Sequence, residues 1–280
     1  MAETVDADGV IEDNTPGLYA LADLPARESV AKRSFGVGWP ELDDILKFYL
    51  GQLVVVTGVA GHGKSTFVLN ALLKLALERG VKSFMYVPEN EANLFEKLRL
   101  IWPGNERAFT HFAAKQCLVQ SAVPHFVNEP PHTIEWVLAR AAEAVADHKV
   151  EIVLIDPWNE LDHARPNGVS MTDYIGACLR LVKQFCRIHD AIVIIVAHPT
   201  KAVNENGGRI ATLADIEGSM NWFNKCDNGL IVVRDPERPA ARVISAKVRE
   251  IGAGRTGSCH FTVDPNTGKF KPQYGASFNA

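Results

Sequence analysis

The apolar, β-branched run Leu53–Thr57 passes directly into GVAGHGKS over residues 58–65, and Thr66 to Arg79 continues as a good helix former. A strand that stops at glycines and restarts as a helix leaves a turn whose backbone N–H groups converge, which is the arrangement a phosphate requires. The spacing is GxxxxGK[ST] at every fixed position. In that pattern Gly58, Gly61 and Gly63 let the backbone close on the phosphates, with His62 and Thr66 in the same stretch. Lys64 reaches the β/γ oxygens of ATP, and the Ser65 hydroxyl is a ligand for Mg²⁺. The helix start adds its partial positive charge.

The rest of the chain repeats the alternation that the first strand and helix begin. Short runs at Leu53–Thr57, Ser83–Val87, Ile152–Ile155, Ala191–Ala197 and Gly229–Val233 are separated by longer segments, several with helical periodicity and charged faces. Strands alternating with helices predict an α/β chain with a parallel sheet covered on both faces. Arg242–Lys247 and His260–Val263 read as further strands, joined by a Gly-rich stretch and followed by a hairpin-like turn over Asp264–Gly268. Residues 1 to about 16 hold five acids and no Lys or Arg, and Leu18 to Arg33 has roughly helical spacing. This divides the chain into an acidic leader with a linker helix over 1–33 and one domain over 34–280.

Composition removes several classes. The longest unbroken apolar run, Ala191–Ala197, is far short of the ~18–20 residues of a membrane span. The chain starts without a basic segment followed by an apolar one, so no secretory signal is read and a cytoplasmic location is expected. Five cysteines, never spaced as CxxC, argue against a disulfide framework or a zinc ribbon and read as buried small side chains. A net charge of −4 excludes coating of nucleic acid by bulk attraction. A few basic residues on one loop, repeated around a ring, remain compatible with a bound strand.

A phosphate loop of this kind needs an acid at the end of a nearby apolar strand, and Glu151-Ile-Val-Leu-Ile-Asp156 supplies it as the second metal-holding residue. Hydrolysis also needs a carboxylate to orient and deprotonate water. Glu89, Glu91, Glu160 and Asp162 are candidates; strand order favours Glu89, directly after the strand that follows the P-loop helix.

Taken together, the P-loop, the acid in Tyr-Val-Pro-Glu89, the Walker B segment VLIDPWNEL and IIVAHPTK over 194–201 resemble the RecA-fold motor domain of replicative hexameric helicases, in the Twinkle-type and phage primase-helicase branch related to DnaB. GWPELDDIL before the P-loop, DIEGSMNWFNKCDNGLIVVRD over 215–235 and AKVREIG over 246–252 extend the likeness to about residues 34–270. The resemblance implies a RecA-like fold, a mostly parallel central sheet flanked by helices with antiparallel strands at the C-terminal side. It also implies an ATP-dependent DNA helicase motor that works during replication.

The same resemblance makes His198 a sensor of the γ-phosphate. It makes the loop after it, with Lys201, Asn206, Gly207 and Arg209, a contact to the backbone of single-stranded DNA. Lys247 and Arg249 alternate along one strand face and become a finger pair that reaches into the neighbouring subunit's ATP. The implied partners are single-stranded DNA, copies of the chain in a hexamer, and a primase or polymerase on a separate chain.

Other readings share some of these residues. A RecA/RadA-like recombination ATPase has the P-loop, the acid and Walker B but builds open filaments. A regulatory nucleotide-binding module would need neither the apparent catalytic acid nor the finger pair, and a metabolic kinase carries a lid instead of a late basic finger.

Overall fold

A computed structural model describes residues 29–123, 130–200, 209–217, 220–235 and 237–273. Two short helices, α1 (Val30–Arg33) and α2 (Pro40–Ile45), precede strand β1 (Leu53–Thr57), and α3 (Lys64–Arg79) returns over the sheet to β2 (Ser83–Tyr86). Then come α4 (Glu91–Ile101), α5 (Glu106–Lys115), β3 (Cys117–Gln120), α6 (Ile134–His148), β4 (Ile152–Ile155), α7 (Met171–Ile188) and β5 (Ile192–Val196). The chain continues through α8 (Met220–Lys225) and ends in β6 (Asn228–Arg234), β7 (Ala240–Val248), β8 (Gly257–Val263) and β9 (Phe270–Gln273).

The nine strands form one sheet in the order β3-β2-β4-β5-β1-β6-β7-β8-β9. From β3 to β6 every pairing is parallel; β6 to β9 pair antiparallel, as expected for the C-terminal strands. Side chains of the buried strands alternate between two cores, because successive residues of a strand face opposite sides. Val54 and Val56 of β1 pack with α2 to α5 on one face, and Leu53 and Val55 pack with α6, α7 and α8 on the other. That two-sided burial explains why these strands read as unbroken apolar runs.

One feature differs from the sequence reading. Cys117–Gln120 adds a parallel edge strand, so His198 follows the fifth strand in chain order instead of the fourth. Within Leu18–Arg33 the described part is α1 alone, and it sits against its own chain: Arg33 Nη1 donates to Leu50 O at 3.0 Å and Ser34 Oγ to Gly252 O at 3.1 Å. All five cysteines are buried and free.

Candidate active site

β1 lies between β5 and β6, so its C-terminal end opens into the crevice that parallel sheets reserve for ligands. Thr57 Oγ1 donates to Ala197 O at 2.9 Å, which fixes that end of β1 to the end of β5. At Gly58 (φ +146°) a Cβ would fall 2.2 Å from Val232 O, so only glycine lets the loop leave the sheet there. Gly61 and Gly63 both take left-handed φ, and α3 starts at Gly63 without a side-chain cap, whereas Asn105, Thr133 and Ser170 cap α5, α6 and α7. The first-turn N–H groups of α3 are therefore left for a ligand.

Lys64 is buried, and its Nζ donates to Gly58 O at 2.9 Å and Val59 O at 3.2 Å. Burial lowers its pKa to about 8, against the opposing pull of Asp156 and Glu89. His62 stands at the loop tip with Nδ1 buried and unpartnered; burial lowers its pKa, and Lys64 and Arg234 add to the effect. Thr66 follows in the first turn of α3.

Asp156 directly follows β4 and is 2% exposed. Ser65 Oγ donates to its Oδ1 at 3.0 Å, which joins the P-loop hydroxyl to the Walker B acid. Burial pushes the Asp156 pKa up to about 6, with the Ser65 hydrogen bond opposing. A buried carboxylate beside a hydroxyl, an uncapped helix start and a lysine whose hydrogen bonds go to loop carbonyls fit a nucleoside triphosphate with a divalent cation.

The remaining acids separate by what they contact. Glu89, in the short turn Pro88–Asn90 after β2, is exposed and close enough for its charge to act on both Lys64 and Asp156. Glu91 instead accepts from Ser121 Oγ at 2.6 Å and Ala122 N at 2.7 Å, and Asp162 accepts from His132 N at 2.6 Å, so both tether loops. His198 follows β5; its backbone N donates to Asn159 Oδ1 at 3.1 Å. Burial lowers the His198 pKa, with the Lys64 charge second.

Lys247 and Arg249 do point the same way, onto the C-terminal carbonyls of α8. Lys247 Nζ donates to Phe223 O, and to Asn224 O at 3.2 Å; Arg249 Nη2 donates to Asn224 O, and to Cys226 O at 3.1 Å. Val248 pairs with Asn228 at the start of β6, and the neighbouring Asp227 carboxylate accepts from Leu53 N. The pair thus occupies the end of the sheet opposite the P-loop. The five residues of β1, at ~3.3 Å each, separate the two by roughly 15 Å.

Lys201, Asn206 and Gly207 lie outside the described residues. The base of their loop is pinned, since Pro199 and Ile216 form an antiparallel bridge and Thr200 N donates to Asp215 O at 2.8 Å. Arg209 is exposed and ion-paired to Asp215 at 2.6 Å. Sequence reasoning passed over Asn159, Arg234 and Asp227. Asn159 lies inside the Walker B segment, while the other two sit in the 215–235 block, where only their charge marked them.

Residues 23–204 match the family model described as AAA domain. The chain is 30% identical over 254 residues to the Twinkle homolog protein, chloroplastic/mitochondrial, of Arabidopsis thaliana; the match covers 83% of this chain and 36% of that protein. The fold is shared with the ATPase domain of G40P (TM-score 0.69, 16% identity, 85% of this chain and 90% of that one). It is shared also with a DnaB-like replicative helicase solved for its interactions with primase (TM-score 0.70, 17% identity, 84% and 62%). No helix among the described residues is long and apolar enough to cross a membrane. A P-loop seated at the switch point of the sheet, with a family match over residues 23–204, means that the chain belongs to the AAA domain family and shares the fold of these helicase ATPase domains.

Proposed function

We propose that the chain hydrolyses ATP at the subunit interfaces of a ring and uses the cycle to move along single-stranded DNA during replication. The observation that carries this reading is the separation of Lys247 and Arg249 from the P-loop of their own chain by the full length of β1. Cations at that distance cannot touch their own phosphates. They can stabilise charge on a phosphoryl group held by a second copy.

In this reading Gly58, Gly61, His62, Gly63 and Thr66 line the phosphates and Lys64 binds the β/γ oxygens. Ser65 and Asp156 hold Mg²⁺, which when bound supplies positive charge at the phosphate oxygens. Glu89 is exposed at the crevice and orients and deprotonates the attacking water. His198, tied by Asn159 and within the field of Lys64, senses the phosphate and passes its state to the loop that follows it. Lys201, Asn206, Gly207 and Arg209 on that loop contact the DNA backbone, with Arg209 exchanging Asp215 for a phosphate. Further readings follow the same line: a hexamer, a cytoplasmic site of action, and a primase or polymerase on a separate chain as partner.

The test is Arg249→Ala. It should bind ATP within about twofold of wild type and lose at least 100-fold in DNA-stimulated turnover. Mixed with Lys64→Ala subunits it should regain turnover, because an intact P-loop then meets an intact finger. Absence of regain with both variants assembled would mean that Arg249 does not act between subunits.

A further inference from the structure

Asp227 precedes β6 and is 3% exposed, yet it meets two cations. Its Oδ1 lies 2.6 Å from Lys183 Nζ and 3.0 Å from Arg249 Nε, while its Oδ2 accepts from Leu53 N at 2.9 Å. Its backbone completes the knot: Asp227 N donates to Leu53 O at 2.8 Å and Arg249 N to Asp227 O at 2.9 Å. Arg249 itself is 38% exposed in its side chain and opens onto a cleft of about 380 Å³ lined also by Arg33, Lys183, Arg187 and Glu250.

We propose that Asp227 is the positioning residue of the finger arginine, fastening the Arg249 guanidinium to the first residue of the strand that carries the P-loop. A long arginine at a strand end has many rotamers, and a group that must meet a transferring phosphoryl has to be held in one of them. Asp227 fixes Nε and the α8 carbonyls fix Nη2, so the remaining amino group, Nη1, is the part left to face a neighbour. Lys183 shares Oδ1 with Arg249 and places a second cation beside the same carboxylate.

The proposal rests on Arg249 acting between subunits, and mixing experiments separate the two. Asp227→Asn keeps an acceptor for Leu53 N and removes the charge that holds Arg249. It should assemble and bind ATP with KM within about twofold, while kcat falls at least tenfold. Mixed one-to-one with Lys64→Ala it should regain about a quarter of the wild-type turnover, since half the intact P-loops then face an undisturbed finger.

If Asp227 served only its own P-loop through β1, mixing would restore nothing, and the proposal would fail although Arg249→Ala with Lys64→Ala still recovered. If neither mixture recovers, the interface reading itself falls. Adding Asp227→Asn to Arg249→Ala should cost no further turnover; a multiplied loss would also overturn the proposal. Should Asp227→Asn not assemble, Asp227→Glu keeps the charge, shifts it by one methylene, and is expected to give the same loss and the same recovery on mixing.

Discussion

Asp156 carries a carboxylate in a place where water cannot solvate it, and the consequence can be read without any nucleotide. Burial raises its folded pKa to about 6 from 3.8, so the folded chain holds the proton more tightly than the unfolded chain does. Stability from this group is therefore fully present below pH 3.8, is lost as pH rises to about 6, and stays lost above. The difference corresponds to at most about 3 kcal/mol. Asp156→Asn, a permanent mimic of the protonated form that can still accept from Ser65, should melt roughly 3–8 °C above wild type at pH 7.5 without Mg²⁺ and nucleotide. The two should converge near pH 4; equal melting at pH 7.5 would show that Asp156 is solvated. Lys64, Ser65 and Asp156 were legible in the sequence because the motif ties residue type to spacing. Asp227 and Asn159 were not, because their partners Leu53 and His198 lie 174 and 39 residues away and only the fold brings them together.

At the scale of elements, the glycines of the P-loop divide by what surrounds them. A Cβ at Gly58 would strike the backbone of β6, which cannot yield without parting β1 from its neighbour; at Gly61 it would meet nothing within 4 Å. Gly58→Ala should therefore lower the melting temperature by more than about 10 °C. Gly61→Ala should cost only the left-handed backbone penalty of about 1–2 kcal/mol while reducing ATP affinity at least fivefold, since its methyl projects into the open space of the loop. Thermal unfolding and nucleotide titration of both variants check this, and similar melting of the two would contradict the close approach to Val232. The buried strands were legible from their apolar runs. Cys117–Gln120 was missed because its apolar run, Cys117 to Val119, is short and, at the edge of the sheet, only Cys117 in it is buried.

On the scale of the molecule, the sheet has two chemically distinct ends. One carries the P-loop, Asp156, Glu89 and His198; the other carries Lys247 and Arg249. Which end each motif would occupy depends on strand order and direction, and strand order is a long-range property that spacing along the chain does not encode. In the proposed reading, a phosphate site at one end and fingers at the other are matched by head-to-tail contacts, which close into a ring or continue as a filament. Turnover per subunit should then rise more steeply than linearly with protein concentration and level off when the contacts are filled, whereas ATP binding to isolated subunits should not depend on concentration. Light scattering on the same samples distinguishes the two assemblies: a ring reaches a fixed mass as activity saturates, and a filament keeps growing. Turnover that is constant from the monomeric range upward would mean that each chain completes its own site, and Lys247 and Arg249 would then be surface cations resting on α8.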